Sequence, residues 1–229
     1  MTLTIDHLYI VIGLLLGAVG VMNLLDRSNP RRFTTALFWG LYATLYLAGE
    51  RIAPAWIGAL MIAMALLAGF GGVRAGKPAV LSDTARAASA ARLGNRLFIP
   101  ALLLPLVTVI GATVLRDVQI GGLPLLDPAH LTLASLGCGA LVALLTACWL
   151  TRATPLQGVR EARRLIDAMG WAVVLPHVLA VLGLLFSEAG VGKAVAHLTT
   201  SYIGLETRFV AAAVFCIGMA LFTIVMGNG

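Results

Sequence analysis

The sequence predicts an all-α fold, a polytopic bundle of helices set in a membrane, and three observations predict it. The first is a shortage of charge: 60% of the 229 residues are hydrophobic and 11% charged, at a mean hydropathy of +0.97. A soluble domain of this size covers itself with about 25% charged residues, and this chain cannot. The second is the form of its apolar runs. They are continuous and close to the roughly 20 residues that cross a bilayer, unlike the alternating segments of about ten residues that build a barrel. The third is the placement of positive charge between them. Residues 1–229 are read as a single transmembrane domain.

Seven apolar segments are predicted, at about 8–25, 33–48, 56–73, 97–115, 131–150, 171–186 and 209–226. Each is read as a helix, because lipid offers backbone N–H and C=O groups no partner outside their own segment. The opening MTLTIDHLYIVIG lacks the basic stretch of a cleavable signal peptide, so the first segment is retained. SDTARAASAARLGN, from Ser82 to Asn95, is Ala-rich behind a capping serine. It predicts a short helix at the interface or in the cytoplasm. Trp39, Trp56, Trp149 and Trp171 mostly fall near segment ends, where interfacial anchors sit. Gly13, Gly17 and Gly20 form a small-residue stripe that lets a second helix approach closely, either in this chain or in a partner.

The basic residues alternate between connections. Arg27, Arg31 and Arg32 follow the first segment; Arg74, Lys77, Arg86, Arg92 and Arg96 follow the third; Arg152, Arg160, Arg163 and Arg164 follow the fifth. These are 12 of the 16 Lys and Arg, and the intervening connections hold only Arg51, Arg116, Lys193 and Arg208. The positive-inside rule then puts the basic connections in the cytoplasm and the N-terminus outside. The net charge of +6 is a topology signal on this reading, and no nucleic-acid partner is expected.

Few residues carry recognisable chemistry. GGVRAGKP, Gly71 to Pro78, imitates half of a phosphate-binding loop. It puts Pro78 where a Ser or Thr should hold magnesium, and no strand precedes it. His7, His130, His177 and His197 show no metal-binding spacing, and Cys138, Cys148 and Cys216 form no CxxC pair, so no metal site is expected. Catalytic pairs are equally lacking, and the chain does not read as an enzyme. His177 follows Pro176 inside an apolar segment, where proline can break a helix and free carbonyls. An ionisable residue there is a functional candidate, set against a kinked helix with a satisfied imidazole. Asp167, close to Arg163 and Arg164, reads as a solvated ion pair near the cytoplasmic end. Glu188 opens the sixth connection and reads as a surface carboxylate.

The chain ends in MGNG directly after an apolar segment. Gly227, Asn228 and Gly229 have the flexibility and hydrogen-bonding groups that the tip of a re-entrant hairpin needs, with the last segment as its first arm. The same residues also suit an ordinary helix cap. Thr223, one turn earlier, adds a hydroxyl.

Three stretches, NPRRFTTALFWGLYA (29–43), ARLGNRLFIPALLLPLVT (91–108) and GMALFTIVMGNG (218–229), resemble bacterial membrane proteins of the domain-of-unknown-function family 979, and the resemblance runs along essentially the whole chain. It implies a place in the ion-transporter superfamily of secondary carriers and in the bacterial cytoplasmic (inner) membrane. It further implies work beside a second small membrane subunit, with 5-oxoproline or a related carboxylate as the cargo. Family members continue beyond the Gly-Asn-Gly, so the resemblance implies that the returning arm of the hairpin is absent and the chain is an N-terminal portion. It also raises interest in Glu188, just ahead of the hairpin.

Two functions are therefore expected to compete. One is a secondary transporter component that binds a small organic anion through Gly227, Asn228, Gly229 and Thr223, with Pro176, His177 and Glu188 as helix-break and coupling candidates. It would take no cofactor beyond a coupling proton or sodium ion. The spans offer no buried Arg or Lys for the anion, so helix N-termini or the partner would supply the positive field. The other is a non-transporting assembly subunit. In either case the lipid bilayer is a partner, and self-association is open.

Overall fold

The computed structural model describes residues 3–76, 82–120, 122–202 and 207–226. It is an all-α membrane helix bundle. In chain order the helices are α1 (Ile5–Leu25), α2 (Arg32–Ala48), α3 (Pro54–Gly69), α4 (Asp83–Leu93), α5 (Phe98–Thr113), α6 (Leu131–Thr151), α7 (Pro155–Met169), α8 (Leu175–Glu188), α9 (Val191–Tyr202) and α10 (Arg208–Met226). Short 3-10 turns join several of them. A two-residue antiparallel pair, β1 (Gln119–Ile120) with β2 (Leu123–Pro124), lies between α5 and α6.

Among the described residues, four stretches are long and apolar enough to cross a membrane: Ile5–Leu25, Arg86–Thr113, Pro128–Thr151 and Pro155–Glu188. Seven segments were expected to do so. The shortfall has local causes. The 17 residues of α2 run into a 3-10 turn at Gly49–Arg51. The 16 residues of α3 end at Gly69, where Gly71 takes a left-handed φ of 65°. In α10 the apolar run Arg208–Leu221 is shorter than a span, whereas the predicted segment 171–186 falls inside the Pro155–Glu188 stretch, as the 3-10 turn Gly170–Val174 followed by α8. Two connections prove helical, α7 and α9. The first is announced by Thr154 and Gln157, which bond each other's backbone N–H groups in a capping box, with Pro155 at the first helical position. The helix expected behind Ser82 is present as α4.

The chain divides into two compact units, Met1–Val174 and Leu175–Gly229. In the first, the most extensive packing joins α1 to α2 and α5 to α6. The small-residue stripe of α1 faces α2 of the same chain. A methyl group at Gly20 would lie 3.4 Å from the Ala36 carbonyl and 3.6 Å from Trp39 Cβ. On the other pair, Gly111 abuts Ser135, and Gly139 lies against the Leu104 carbonyl and the Thr108 hydroxyl. The core gathers Leu16 and Val19 of α1, Phe38, Trp39, Tyr42 and Ala43 of α2, Met64 of α3, and Val174. Trp39 is thus no interfacial anchor: it is fully buried, edge-on to Phe38 at 5.0 Å between ring centroids. Trp56, Trp149 and Trp171 are exposed, as anchors should be.

The two ends of this unit differ. At one, Leu3 N–H donates to the Leu125 carbonyl (2.9 Å) and Asp127 N–H to the Leu3 carbonyl (3.2 Å), tying the N-terminus to the α5–α6 connection. At the other, the α1–α2 connection, residues 72–76 and α7 converge. In the second unit, α8 and α9 pack as neighbours across Gly190 (φ 70°), and no described residue of α8, α9 or α10 is buried.

Candidate functional site

The first unit buries a polar cluster where the C-terminal end of α1 meets α2 and α7. Its centre is Asp167. Asn23 Nδ2 donates to both Asp167 oxygens, at 2.9 and 3.2 Å, and Trp39 Nε1 donates to Oδ1 at 3.1 Å. Arg163, one turn earlier on α7, donates from Nε to Oδ2 at 3.1 Å. The same guanidinium reaches α1 through Nη2, which donates to Asn23 Oδ1 at 3.1 Å and to Asp26 Oδ2. Asn23 is fully buried, and the Asp167 and Arg163 side chains are 5% and 12% exposed.

Local sequence sets these positions. Asn23 falls in the last turn of α1 and Asp26 is its C-cap residue. Arg163 and Asp167 stand four apart on the inward face of α7, with Val159, Ala162 and Ile166 completing that face. Trp39 is placed by the α1–α2 packing. The connection beyond α3 closes the cluster's edge. Asn29 Nδ2 donates to the Arg74 carbonyl (2.7 Å), Thr34 Oγ1 to the Gly72 carbonyl (2.6 Å), and Arg74 N–H to Thr35 Oγ1 (3.1 Å). A side chain at Gly76 would collide with the Asp26 carboxylate.

Burial works against the charged form of Asp26. Hydrogen bonds from Ser28 and the Arg163 guanidinium outweigh it and hold the carboxyl below its ordinary range. Asp167 is paired with Arg163 as the sequence suggested, but the pair is sealed rather than solvated. Nor do the helices lack an inward-facing cation, because Arg163, its side chain 12% exposed, is one. Both corrections have one cause: residues 155–169, taken for a connecting loop, fold as an amphipathic helix whose inner face enters the bundle.

The residues singled out in the sequence lie elsewhere. Pro176 is the second residue of α8, directly behind the 3-10 turn Gly170–Val174. His177 follows it, exposed in the first turn of α8 and inside the Pro155–Glu188 stretch. Glu188 is exposed at the far end of α8, about 18 Å from Pro176 along the axis at 1.5 Å per residue. Thr223 lies on α10, where its exposed hydroxyl donates to the Met219 carbonyl at 2.8 Å. Gly227, Asn228 and Gly229 lie outside the described residues. Among the described residues no group of His, Cys, Asp and Glu is arranged to hold a metal ion.

Sequence reasoning missed Asn23, Asp26 and Trp39. Asn23 had a signal, as an amide inside an apolar run; the others declare themselves only when α7 is placed.

A charged cluster closed inside apolar helices defines a polytopic α-helical membrane protein with a buried ionisable site. The family model for DUF979, described as a protein of unknown function, matches residues 6–229, and the chain belongs to that family. No curated protein and no solved structure matches it.

Proposed function

We propose that this protein is a component of a secondary transporter for a small organic anion. It works in the bacterial inner membrane with a second membrane subunit, and the anion is 5-oxoproline or a related carboxylate. The observation that carries this reading is the Asn23–Trp39–Arg163–Asp167 cluster. A buried ion pair contributes little net stability, since desolvating two charges offsets most of their attraction. A chain with so few charges that nonetheless buries Asp167 against Arg163, with Asp26 at the edge, points to a functional use for them. Ionisable groups inside a bundle are the usual mark of an ion or solute pathway. A mere scaffold has no need of them.

The orientation proposed for this carrier places the N-terminus outside and the Asp26 end in the cytoplasm. Its support is that the first and third connections and α7 share one end of the first unit, while the N-terminus and the fourth connection share the other. The Gly227–Gly229 tripeptide, with Thr223, stays the proposed substrate contact.

The test is uptake. The full-length protein and its membrane partner are expressed singly and together in an uptake-deficient bacterium, and accumulation of labelled 5-oxoproline is followed. Uptake that needs both, and that is lost on Asn228→Ala or Asp167→Asn, is the expected outcome. Uptake by the partner alone makes this chain an assembly subunit and sinks the proposal.

A further inference from the structure

We propose that Asp167 is a proton-binding site and that its protonation unlatches α7 from α1 and α2. The inference gives the proposed carrier its coupling ion and rests on that reading only for its physiological use.

The starting point is charge. The groups facing Asp167 can be taken element by element. From α1 come the neutral Asn23 amide and the Asp26 carboxylate; from α2, the neutral Trp39 indole; from α7 itself, Arg163. Arg164 turns outward and pairs with Glu161 at 2.8 Å, both about half exposed. Arg27 and Arg74 are exposed, and the latter offers the cluster's edge its backbone rather than its charge. Among the described residues, then, two carboxylates share one guanidinium. With both ionised, one negative charge is left uncompensated in a place largely closed to water. Binding one proton removes it.

The same count excludes the alternative use of Arg163 as a substrate anchor in this state. An incoming carboxylate would meet two others already on the guanidinium, and like charges at this range repel strongly where water is scarce.

Geometry assigns the proton to Asp167. Asp26 sits at the helix end and accepts from the Ser28 N–H (2.9 Å) and hydroxyl (2.7 Å) as well as from Arg163. All of these bonds reward its charge, and none depends on Asp167. Asp167 is the deeper of the two, at 5% side-chain exposure against 14% for Asp26. Adding a proton to an Asp167 oxygen leaves one Arg163–Asp26 pair, which is neutral as a unit.

The mechanical consequence follows from the donors. Ionised Asp167 accepts from α1, α2 and its own helix at once, and such charge-assisted bonds are roughly twice as strong as neutral ones. A protonated carboxyl is a weaker acceptor and adds an O–H donor that Asn23 Nδ2, Trp39 Nε1 and Arg163 Nε cannot accept. The direct ties from Asp167 to Trp39 and Asn23 are then weakened, while the Arg163 bridge from α7 to α1 is kept. A helix held more strongly in one protonation state than in the other is a two-state element that a proton can bias.

Trp39 is a built-in reporter. With Trp56, Trp149 and Trp171 changed to Phe in the full chain, reconstituted in lipid nanodiscs, the emission of Trp39 is titrated from about pH 8 to about pH 4. A one-proton transition is expected. Asp167→Asn should abolish it. Asp26→Asn should keep it and move its midpoint to lower pH, because Arg163 then serves Asp167 alone. Asp167→Glu, which keeps the acid, should shift the midpoint without removing the transition, and this second variant decides if the Asn variant does not fold. A flat profile in the parent, a transition that survives Asp167→Asn, one lost in Asp26→Asn, or a midpoint unmoved by Asp167→Glu overturns the proposal. No substrate or partner enters the measurement, so failed uptake with an intact titration rejects the transport reading alone.

Discussion

Asn23, Asp26 and Trp39 show at the scale of single residues how a membrane chain can hide its chemistry. An asparagine in an apolar run and an aspartate at a helix end each have an ordinary explanation. Trp39 carried a definite but mistaken one, as an interfacial anchor, because tryptophan favours interfaces on average and a single sequence gives no depth coordinate. Only the spacing of Arg163 and Asp167 was legible, as an i,i+4 pair, and even there its burial was not. A pH prediction belongs at this scale. The carboxyl of Asp26 titrates below its ordinary value of 3.8 in the folded protein. Its contribution to stability is therefore present above that value and lost as pH falls through the lowered one. Asp26→Asn should melt below the parent near neutral pH, and the two should converge under about pH 4. Thermal unfolding across a pH series measures this; a constant gap would show that Asp26 contributes through something other than its charge.

Among the helices, α7 explains most of what the sequence reading did not see. The search for membrane segments looks for apolar runs, and α7 is not one. Its pattern is amphipathic, with five inward residues at helical spacing and a capping box at its start, so the information was present in another register. The long apolar segments were legible because lipid imposes both their length and their helicity. Their exact ends were not, since these depend on turn residues such as Gly71. Close helix packing gives a sharp prediction. A methyl group at Gly139 would come within 2.7 Å of the Leu104 carbonyl and 3.0 Å of Thr108 Oγ1, whereas one at Gly183 in α8 meets nothing within 4 Å. Gly139→Ala should cost about 1–3 kcal/mol through forced separation of α5 and α6. Gly183→Ala should be neutral or gain about 0.5–1 kcal/mol from lower backbone entropy in the unfolded chain. Denaturation in mixed micelles compares them, and equal effects would count against the α5–α6 contact.

For the molecule as a whole, charge distribution said more than any motif. Composition alone made it a membrane protein, and the alternation of basic connections gave it a sidedness. That sidedness can be checked with a membrane-impermeant thiol reagent on intact cells, after replacement of Cys138, Cys148 and Cys216. Both probe positions are exposed, Glu50 between α2 and α3 and Ala75 beyond α3. A cysteine at position 50 should be labelled from outside and one at position 75 should not; the opposite pattern would invert the topology.

The bonds from Asn23 and Trp39 to Asp167 join residues 144 and 128 positions apart. A ribosome adding about 5–20 residues per second needs about 6–30 seconds to cover that distance. During this interval α1 and α2 have already emerged, and Asn23 and Asp26 have only local partners, the Val19 carbonyl and Ser28. The contacts from Arg163 and Asp167 that complete the cluster come only with α7. The arrival of α7 thus exchanges local bonding at the end of α1 for a cluster that ties the first helices to one made much later.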